Sequence, residues 1–175
     1  MKKFLIGIIM SVTLSQSSES ESKKADPCIF CDIVAGSSPC FKIWESESHL
    51  AFLSIFPNTQ GATVVIPKKH FSSYAFEVPE EDFNALMKAA REVGLLLDKK
   101  LLDVGRTGMV LEGFGINHVH AKLFPLHGTA TEGVWKPIKS SVRTYFNTYQ
   151  GYISSHDSQR ADDFELAALA EHIRQ

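Results

Sequence analysis

The sequence predicts an α+β fold, an antiparallel β-meander of about five strands with one long helix and a short C-terminal helix. Three observations support this fold class. Short runs of β-forming residues alternate with polar turns, and one long stretch follows the 3.6-residue helical period. The hydrophobic content of 44% over 175 residues suits one domain with a real core.

The first 25 residues are expected to lie outside this domain. A basic start precedes an apolar run over residues 4–14 and a small-x-small triplet at residues 15–17, and a serine-rich, charged linker follows. The pattern is typical of a signal peptide or N-terminal anchor, although an unstructured tail, or a start misassigned ahead of Met10, also fits. The sequence therefore leaves a cytoplasmic and an exported or periplasmic protein open. It limits membrane targeting to this segment and assigns residues 26–175 to one domain.

Five segments are predicted to form strands, because each combines β-branched, aromatic or alternating apolar residues with a flanking turn signal. They are Phe41 to Glu45, Leu50 to Ile55, Ala62 to Ile66, Arg106 to Glu112 and Gly113 to Pro125. His49 lies at the edge of the turn between the first two, and we expect it on the surface.

Residues 79–102 are predicted to form the long helix. Pro79 suits the first turn, acidic residues follow it, and Lys99 and Lys100 lie near the end, where cations are favoured. The apolar side chains recur on one face: Phe83, Leu86, Met87, Ala90, Val93, Leu97 and Leu101. A second, short helix is predicted at about residues 161–173, with its apolar residues also on one face. The long helix is interpreted as scaffold, and the short one is expected to pack on the sheet or on a partner subunit.

The last predicted strand has an unusual polar face. Because side chains alternate along a strand, His118, His120 and Lys122 share one side, and the apolar residues between them share the other. A half-exposed polar face is the simplest interpretation. However, two imidazoles and an ammonium are costly to bury without a function, and the glycines just before them allow a ligand to come close. This row is therefore the first candidate site.

Cys28 and Cys31 form a C-x-x-C motif near the start of the domain. Such a motif is compatible with a redox dithiol, half of a zinc site or two ordinary buried cysteines. The redox interpretation is the weakest, because no strand is predicted just before the motif. Cys40 is interpreted as structural.

Three elements together resemble the histidine triad (HIT) family of nucleotidyl hydrolases and transferases. They are the row H-V-H-A-K, the segment C-I-F-C and the stretch P-x-T-x-G-x-x-V-V-I-P-K-K-H. Lys122 stands where the family pattern has its third histidine. The order H-V-H-A-K-L-F-P-L-H resembles a bacterial-type branch with lysine at this position. The resemblance covers residues 26–175.

The resemblance implies a structural Zn²⁺ site and a homodimer. In some HIT proteins, the two cysteines, a histidine after the V-I-P-K-like strand and the first histidine of the row bind zinc. Those positions are Cys28, Cys31, His70 and His118 here. A disulfide could replace the zinc in an exported protein. No organic cofactor is implied.

The resemblance also implies a catalytic set of His120, His118 and Lys122. His120 would attack the α-phosphorus of a nucleotide and form a covalent nucleotidyl-histidine. Lys122 would supply positive charge beside it.

For substrate binding, the resemblance implies Phe30 and Phe52 beside the base, although core packing is the simpler interpretation for each. Ser54 stands where the family usually has an aspartate that holds the ribose hydroxyls, so ribose binding is expected to be weaker or different. His127 is a weaker candidate to approach the substrate.

The implied function is a nucleotide phosphoramidase or dinucleotide hydrolase. The substitutions at the third triad position and at Ser54 leave a catalytically weak nucleotide-binding module as the alternative. A zinc-stabilised interaction protein without a nucleotide site is a third possibility. The net charge of −2 means that the chain lacks the excess of basic residues typical of proteins that bind a nucleic acid polymer.

Overall fold

The computed structural model describes residues 27–130, 135–153 and 164. Its elements are α1 (Ile29–Val34), β1 (Phe41–Glu45), β2 (His49–Leu53), β3 (Thr63–Pro67), a 3-10 turn (Ala75–Glu77), α2 (Glu80–Lys100), β4 (Thr107–Val110) and β5 (Ala121–Pro125). The predicted α+β class, the five-stranded antiparallel sheet and the long helix are confirmed. The predicted N-terminal segment and, apart from residue 164, the predicted helix at 161–173 lie outside the described residues. No helix in the described part is long and apolar enough to cross a bilayer.

The sheet has the strand order β1-β2-β3-β5-β4, and every neighbouring pair is antiparallel. The first three strands follow one another as a meander. Helix α2 then carries the chain to the outer edge, where β4 forms, and β5 returns between β4 and β3. β5 is therefore an inner strand, and the segment just before it leads into the sheet between β3 and β4.

The two faces of the sheet bury different residues. Helix α2 covers one face and packs its apolar side against inward residues of β2, β3 and β5, including Ala51, Val65 and Leu123. On the opposite face, α1 contributes Phe30 to a smaller cluster with Leu50, Phe52 and Ile66. The candidate site is built on this second face.

The prediction that Gly113 to Pro125 forms one strand was wrong, because β5 begins only at Ala121. The main chain before it pairs elsewhere: the Val119 amide donates to the Phe71 carbonyl at 3.2 Å, and Asn117 Oδ1 accepts from the Ser73 amide at 3.0 Å. The expected alternation nevertheless holds, since Val119 joins the α2-side core while His118 and His120 contact Phe30 on the other face.

The surface position expected for His49 was also wrong, because its side chain is buried. His49 belongs to β2 itself and pairs with Pro67 of β3, so the strand continues through the position interpreted as a turn edge. Nδ1 lies 2.8 Å from the Ser48 hydroxyl, whereas Nε2 is the one buried side-chain polar atom without a hydrogen-bond partner in the described residues. Burial lowers the pKa of His49, so its neutral form is favoured.

Candidate metal centre and active site

Helix α1, which the sequence did not predict, brings the two cysteines of the C-x-x-C motif together. It begins directly after Cys28, and residues three apart on a helix lie on the same side. Cys28 and Cys31 therefore face the same direction, while Phe30 points into the core. The helix ends at Val34, and Gly36, just after the C-cap Ala35, has a φ of 77° and donates its amide to the Ile33 carbonyl, as is typical of a glycine that terminates a helix.

The four predicted metal ligands converge, and their ligand atoms all lie within 4.8 Å of one another. Cys28 Sγ lies 3.5 Å from His118 Nδ1, and Cys31 Sγ lies 3.7 Å from the same nitrogen and 3.3 Å from His70 Nδ1. A tetrahedral zinc ion with ordinary bond lengths separates sulfur and nitrogen ligands by about 3.5 Å. The donor set and its spacing thus fit Zn²⁺.

The ring of His118 is fixed in an orientation suited to a metal ligand. His118 is fully buried, and its Nε2–H donates to the Pro67 carbonyl at 2.9 Å. Nδ1 is then the unprotonated nitrogen, and it faces both sulfurs. A ligand histidine whose other nitrogen donates to a carbonyl is a recurring arrangement in metal sites.

Cys28 and Cys31 are free thiols, and the surroundings of Cys31 disfavour a bare thiolate. Burial, together with the neighbouring Cys28, raises the pKa of Cys31 to about 11. A bound cation would reverse this preference, because metal ligation deprotonates a thiol. The chemistry of the donor set therefore agrees with its geometry.

His120 is held by the backbone of His118. Its Nδ1–H donates to the His118 carbonyl at 2.7 Å, and the edge-on ring of Phe30 lies beside it, with 5.4 Å between centroids. Nε2 forms no hydrogen bond within the described residues, and the residue as a whole is 4% exposed. Burial lowers the pKa of His120, and the charge of Lys122 adds to this effect, although the His118 carbonyl and Glu112 oppose it. A neutral ring with a free Nε2 is nucleophilic.

Lys122, the third member of the row, is bound by a carboxylate that sequence reasoning missed. Its Nζ forms an ion pair with Glu112 Oε1, and Glu112 Oε2 accepts a hydrogen bond of 2.9 Å from the Tyr149 hydroxyl. Burial alone would raise the pKa of Glu112, but Lys122 and Tyr149 together hold it below its usual value. The available sequence signal was a carboxylate at the end of a strand, immediately before a glycine-rich turn.

The residues predicted to bind the base are part of the core. Phe30 and Phe52 are 8% and 5% exposed and pack edge to face, with 5.6 Å between ring centroids. The half-buried Ser54 accepts a hydrogen bond from the Phe56 amide at 3.2 Å, which leaves its O–H available to a ligand. Their roles in substrate binding stay predictions.

His127 connects two loops. Its Nε2–H donates to the Gln60 carbonyl at 2.9 Å, and Nδ1 contacts the Asp103 carboxylate at 3.0 Å. Both ring nitrogens are therefore engaged, and nothing in this arrangement directs His127 toward a substrate.

Comparison with known proteins gives a family match over more than half of the chain, since residues 35–129 match the HIT domain. A 16.1 kDa HIT-like protein of Mycoplasma pneumoniae is 36% identical over 130 residues, which cover 72% of this chain and 90% of that protein. Adenosine 5'-monophosphoramidase hnt1 of Schizosaccharomyces pombe is 33% identical over 99 residues, covering 56% of this chain and 73% of the yeast protein.

Solved structures of similar proteins agree with the match to the HIT domain. SMU.412c from Streptococcus mutans UA159 is similar with a TM-score of 0.62 and 26% identity, covering 97% of this chain and 98% of that structure. A Zn-bound histidine triad family protein from Mycobacterium smegmatis is similar with a TM-score of 0.55 and 26% identity, covering 58% of this chain and 76% of that structure.

Proposed function

This chain belongs to the HIT family, and from that premise we propose that it hydrolyses or transfers nucleotidyl groups at the α-phosphorus of a nucleotide phosphoramidate or dinucleotide. The observation that carries the proposal is the state of His120. One ring nitrogen donates to the His118 carbonyl, and the other, at the middle of the row, forms no hydrogen bond within the described residues. The phosphoramidase name of the yeast relative supports the choice of substrate class.

The proposed reaction has two steps. Nε2 of His120 attacks the α-phosphorus, a bond forms between phosphorus and Nε2, and the bond to the leaving amine or phosphate breaks. The leaving amine takes one proton from solvent, and the attack of water in the second step returns one. Water or another acceptor then breaks the phosphorus–nitrogen bond, which releases the nucleotide and restores the imidazole. Lys122 provides positive charge beside the phosphoryl oxygens.

We propose a structural role for Zn²⁺ at Cys28, Cys31, His70 and His118. The ligand spacing and the Zn-bound family neighbour support it. A closed four-ligand site stabilises the fold and leaves no open position for a substrate. Zinc would join α1 to the segment after β3 and to the row, so that Phe30 stays against His120.

A homodimer is also proposed, with the edge of β4 as the contact. Within the described residues, no strand pairs with the outer side of β4, and Met109 on this strand is 46% exposed. Leu95 of α2, which is 53% exposed, lines the same cleft as Met109. Light scattering should give twice the chain mass for the wild type, and Met109→Glu should produce a monomer.

The enzyme hypothesis is tested by single-turnover reaction of the full chain with adenosine 5'-phosphoramidate. Wild type and His120→Ala would be compared, with intact-protein mass spectrometry used to detect an added nucleotidyl group. We expect release of nucleoside monophosphate and a transient adduct in the wild type, and neither in the variant. Equal turnover in His120→Ala would contradict the mechanism, provided that both proteins melt at similar temperatures.

The alternative, a weak nucleotide-binding module, is favoured by two departures from the family pattern, Lys122 and Ser54. It predicts that AMP raises the melting temperature of the wild type while neither adduct nor product forms. The same assay therefore separates the two functions.

A further inference from the structure

We infer that Glu112 is a positioning residue for Lys122, and that Tyr149 fixes Glu112 in turn. This inference rests on the proposed function, because it assigns Lys122 a defined position beside the nucleophile. The three side chains form a continuous chain of contacts from the C-terminal segment to the row.

The sheet register brings Glu112 to this position. Val110, the last residue of β4, pairs with Lys122 of β5, and Glu112 follows two residues after that pair. The carboxylate thereby comes within ion-pair distance of the Lys122 ammonium, on the side of the sheet that carries His120. The electrostatic influence of Glu112 and His120 on each other agrees with this placement.

The Glu112 carboxylate is buried and fully engaged. Its side chain is 11% exposed, and one oxygen accepts from Lys122 while the other accepts from Tyr149. A buried carboxylate is costly unless it is paired, so both partners contribute to keeping it in place. A lysine ammonium at the end of four methylene groups otherwise samples many positions, and the ion pair restricts it to one.

Tyr149 is itself anchored beside the row. Its ring stacks on Phe114 with 5.2 Å between centroids and 26° between planes. Phe114 stands between Gly113 and Gly115, whose φ values of 75° and 94° give the loop a backbone shape that other residues rarely adopt. The loop therefore brings Glu112 and the platform for Tyr149 to the same side of the site.

The test uses four variants of the full chain: Glu112→Gln, Tyr149→Phe, Lys122→Met and the double variant Glu112→Gln/Lys122→Met. Glu112→Gln keeps the shape of the side chain but removes its charge. We expect kcat for a nucleoside phosphoramidate to fall about 10- to 100-fold, since small misplacements of a group near the reacting atoms are costly. We expect KM to change much less, and Tyr149→Phe to have a smaller effect in the same direction.

The double variant distinguishes positioning from a general structural role. If Glu112 acts through Lys122, Glu112→Gln should have little further effect on kcat once Lys122 is methionine. A full, additive loss would overturn the inference. Glu45→Gln, which removes exposed ion pairs with Lys42 and Lys68 at the opposite edge of the sheet, serves as the matched control and should leave kcat unchanged.

A measurement without turnover keeps this test separate from that of the proposed function. Nitrogen-15 NMR should detect the Lys122 ammonium as a slowly exchanging signal in the wild type, and the signal should be lost in Glu112→Gln. Persistence of the signal would overturn the inference even if the protein proves inactive. If the wild type proves inactive, presence of the signal in the wild type and its loss in Glu112→Gln would still support the ion pair, and the enzyme hypothesis alone would be rejected.

Discussion

The main-chain carbonyl of His118 accepts the Nδ1–H of His120 at 2.7 Å, while the His118 side chain is anchored to the Pro67 carbonyl by Nε2 and faces the cysteines with Nδ1. One residue thus contributes to both parts of the candidate site, its ring to the proposed metal centre and its backbone to the proposed nucleophile. A metal bound at the proposed centre would therefore act on the proposed nucleophile through the His118 backbone, without contacting the substrate.

His118→Ala should damage both halves of the site. It removes a metal ligand and leaves the buried Pro67 carbonyl without its partner, which costs about 1–3 kcal/mol. The backbone that holds His120 loses its anchor, so we expect kcat to fall about 100-fold. His70→Ala is the matched comparison, because it removes a metal ligand on the exposed side and keeps the bond to Pro67. Zinc content and single-turnover rates should show similar metal loss in both variants but a much greater loss of rate in His118→Ala; equal rates would contradict the anchoring role.

Removal of zinc should lower the stability of the protein. If the folded chain binds zinc at a free concentration about 1,000 times its Kd, chelation removes about 4 kcal/mol of the free energy of unfolding. Calorimetry with and without a chelator measures this loss. Cys31→Ser should bind less metal, whereas Cys40→Ser, a change of the third cysteine outside the cluster, should keep full zinc content. Loss of zinc in both serine variants would argue against the assigned ligands.

Local patterns in the sequence predicted most of the scaffold. Residues 41–45 form β1 with the predicted bounds, and α2 begins and ends within two residues of its predicted limits. These elements have strong β-forming runs or a long helical period. Helix α1 has only six residues, too few for a period to be visible, and the burial of His49 depends on its pairing with Pro67 in another strand.

The sequence predicted the parts of the candidate site that belong to a recognisable motif. It did not predict the contacts that Glu112 makes. The four candidate metal ligands follow from the resemblance to the family, whereas the row follows from the alternation of side chains along the predicted strand. The contact between Glu112 and Tyr149 joins residues 37 positions apart, and Tyr149 belongs to a segment without clear periodicity. Such a contact depends on how the C-terminal segment folds back on the sheet, which no local pattern indicates.

Phe30→Ala should destabilise the protein and weaken the site together. Phe30 packs edge-on against Phe52, His118 and His120, and truncation of a buried phenylalanine costs about 3–5 kcal/mol. Phe30→Leu should cost below about 1.5 kcal/mol, because it keeps most of the volume. Phe76→Ala is the control: Phe76 is 82% exposed, and its loss should change the free energy of unfolding by less than about 0.5 kcal/mol. Urea unfolding measures all three, and a small effect of Phe30→Ala would mean that this ring is available to a substrate instead.

The contact between His127 and Asp103 should make stability depend on pH in a defined direction. The bond to the Gln60 carbonyl and the Asp103 carboxylate raise the pKa of His127, and His127 lowers the pKa of Asp103. A raised histidine pKa stabilises the fold fully below the unfolded value of about 6.5, and the contribution is lost as pH rises through the folded value. A lowered aspartate pKa stabilises the fold above about 3.9, and that contribution is lost as pH falls through the folded value.

Both contributions are therefore present between about pH 4 and pH 6.5. The difference in melting temperature between wild type and His127→Gln should be larger at about pH 5.5 than at about pH 8. Taking the difference at each pH cancels the other histidines, which titrate in both proteins. Asp103→Asn should reduce the pH dependence in the same way, because it removes the charge that favours the imidazolium. A difference that is the same at both pH values would mean that His127 connects the two loops as a neutral ring.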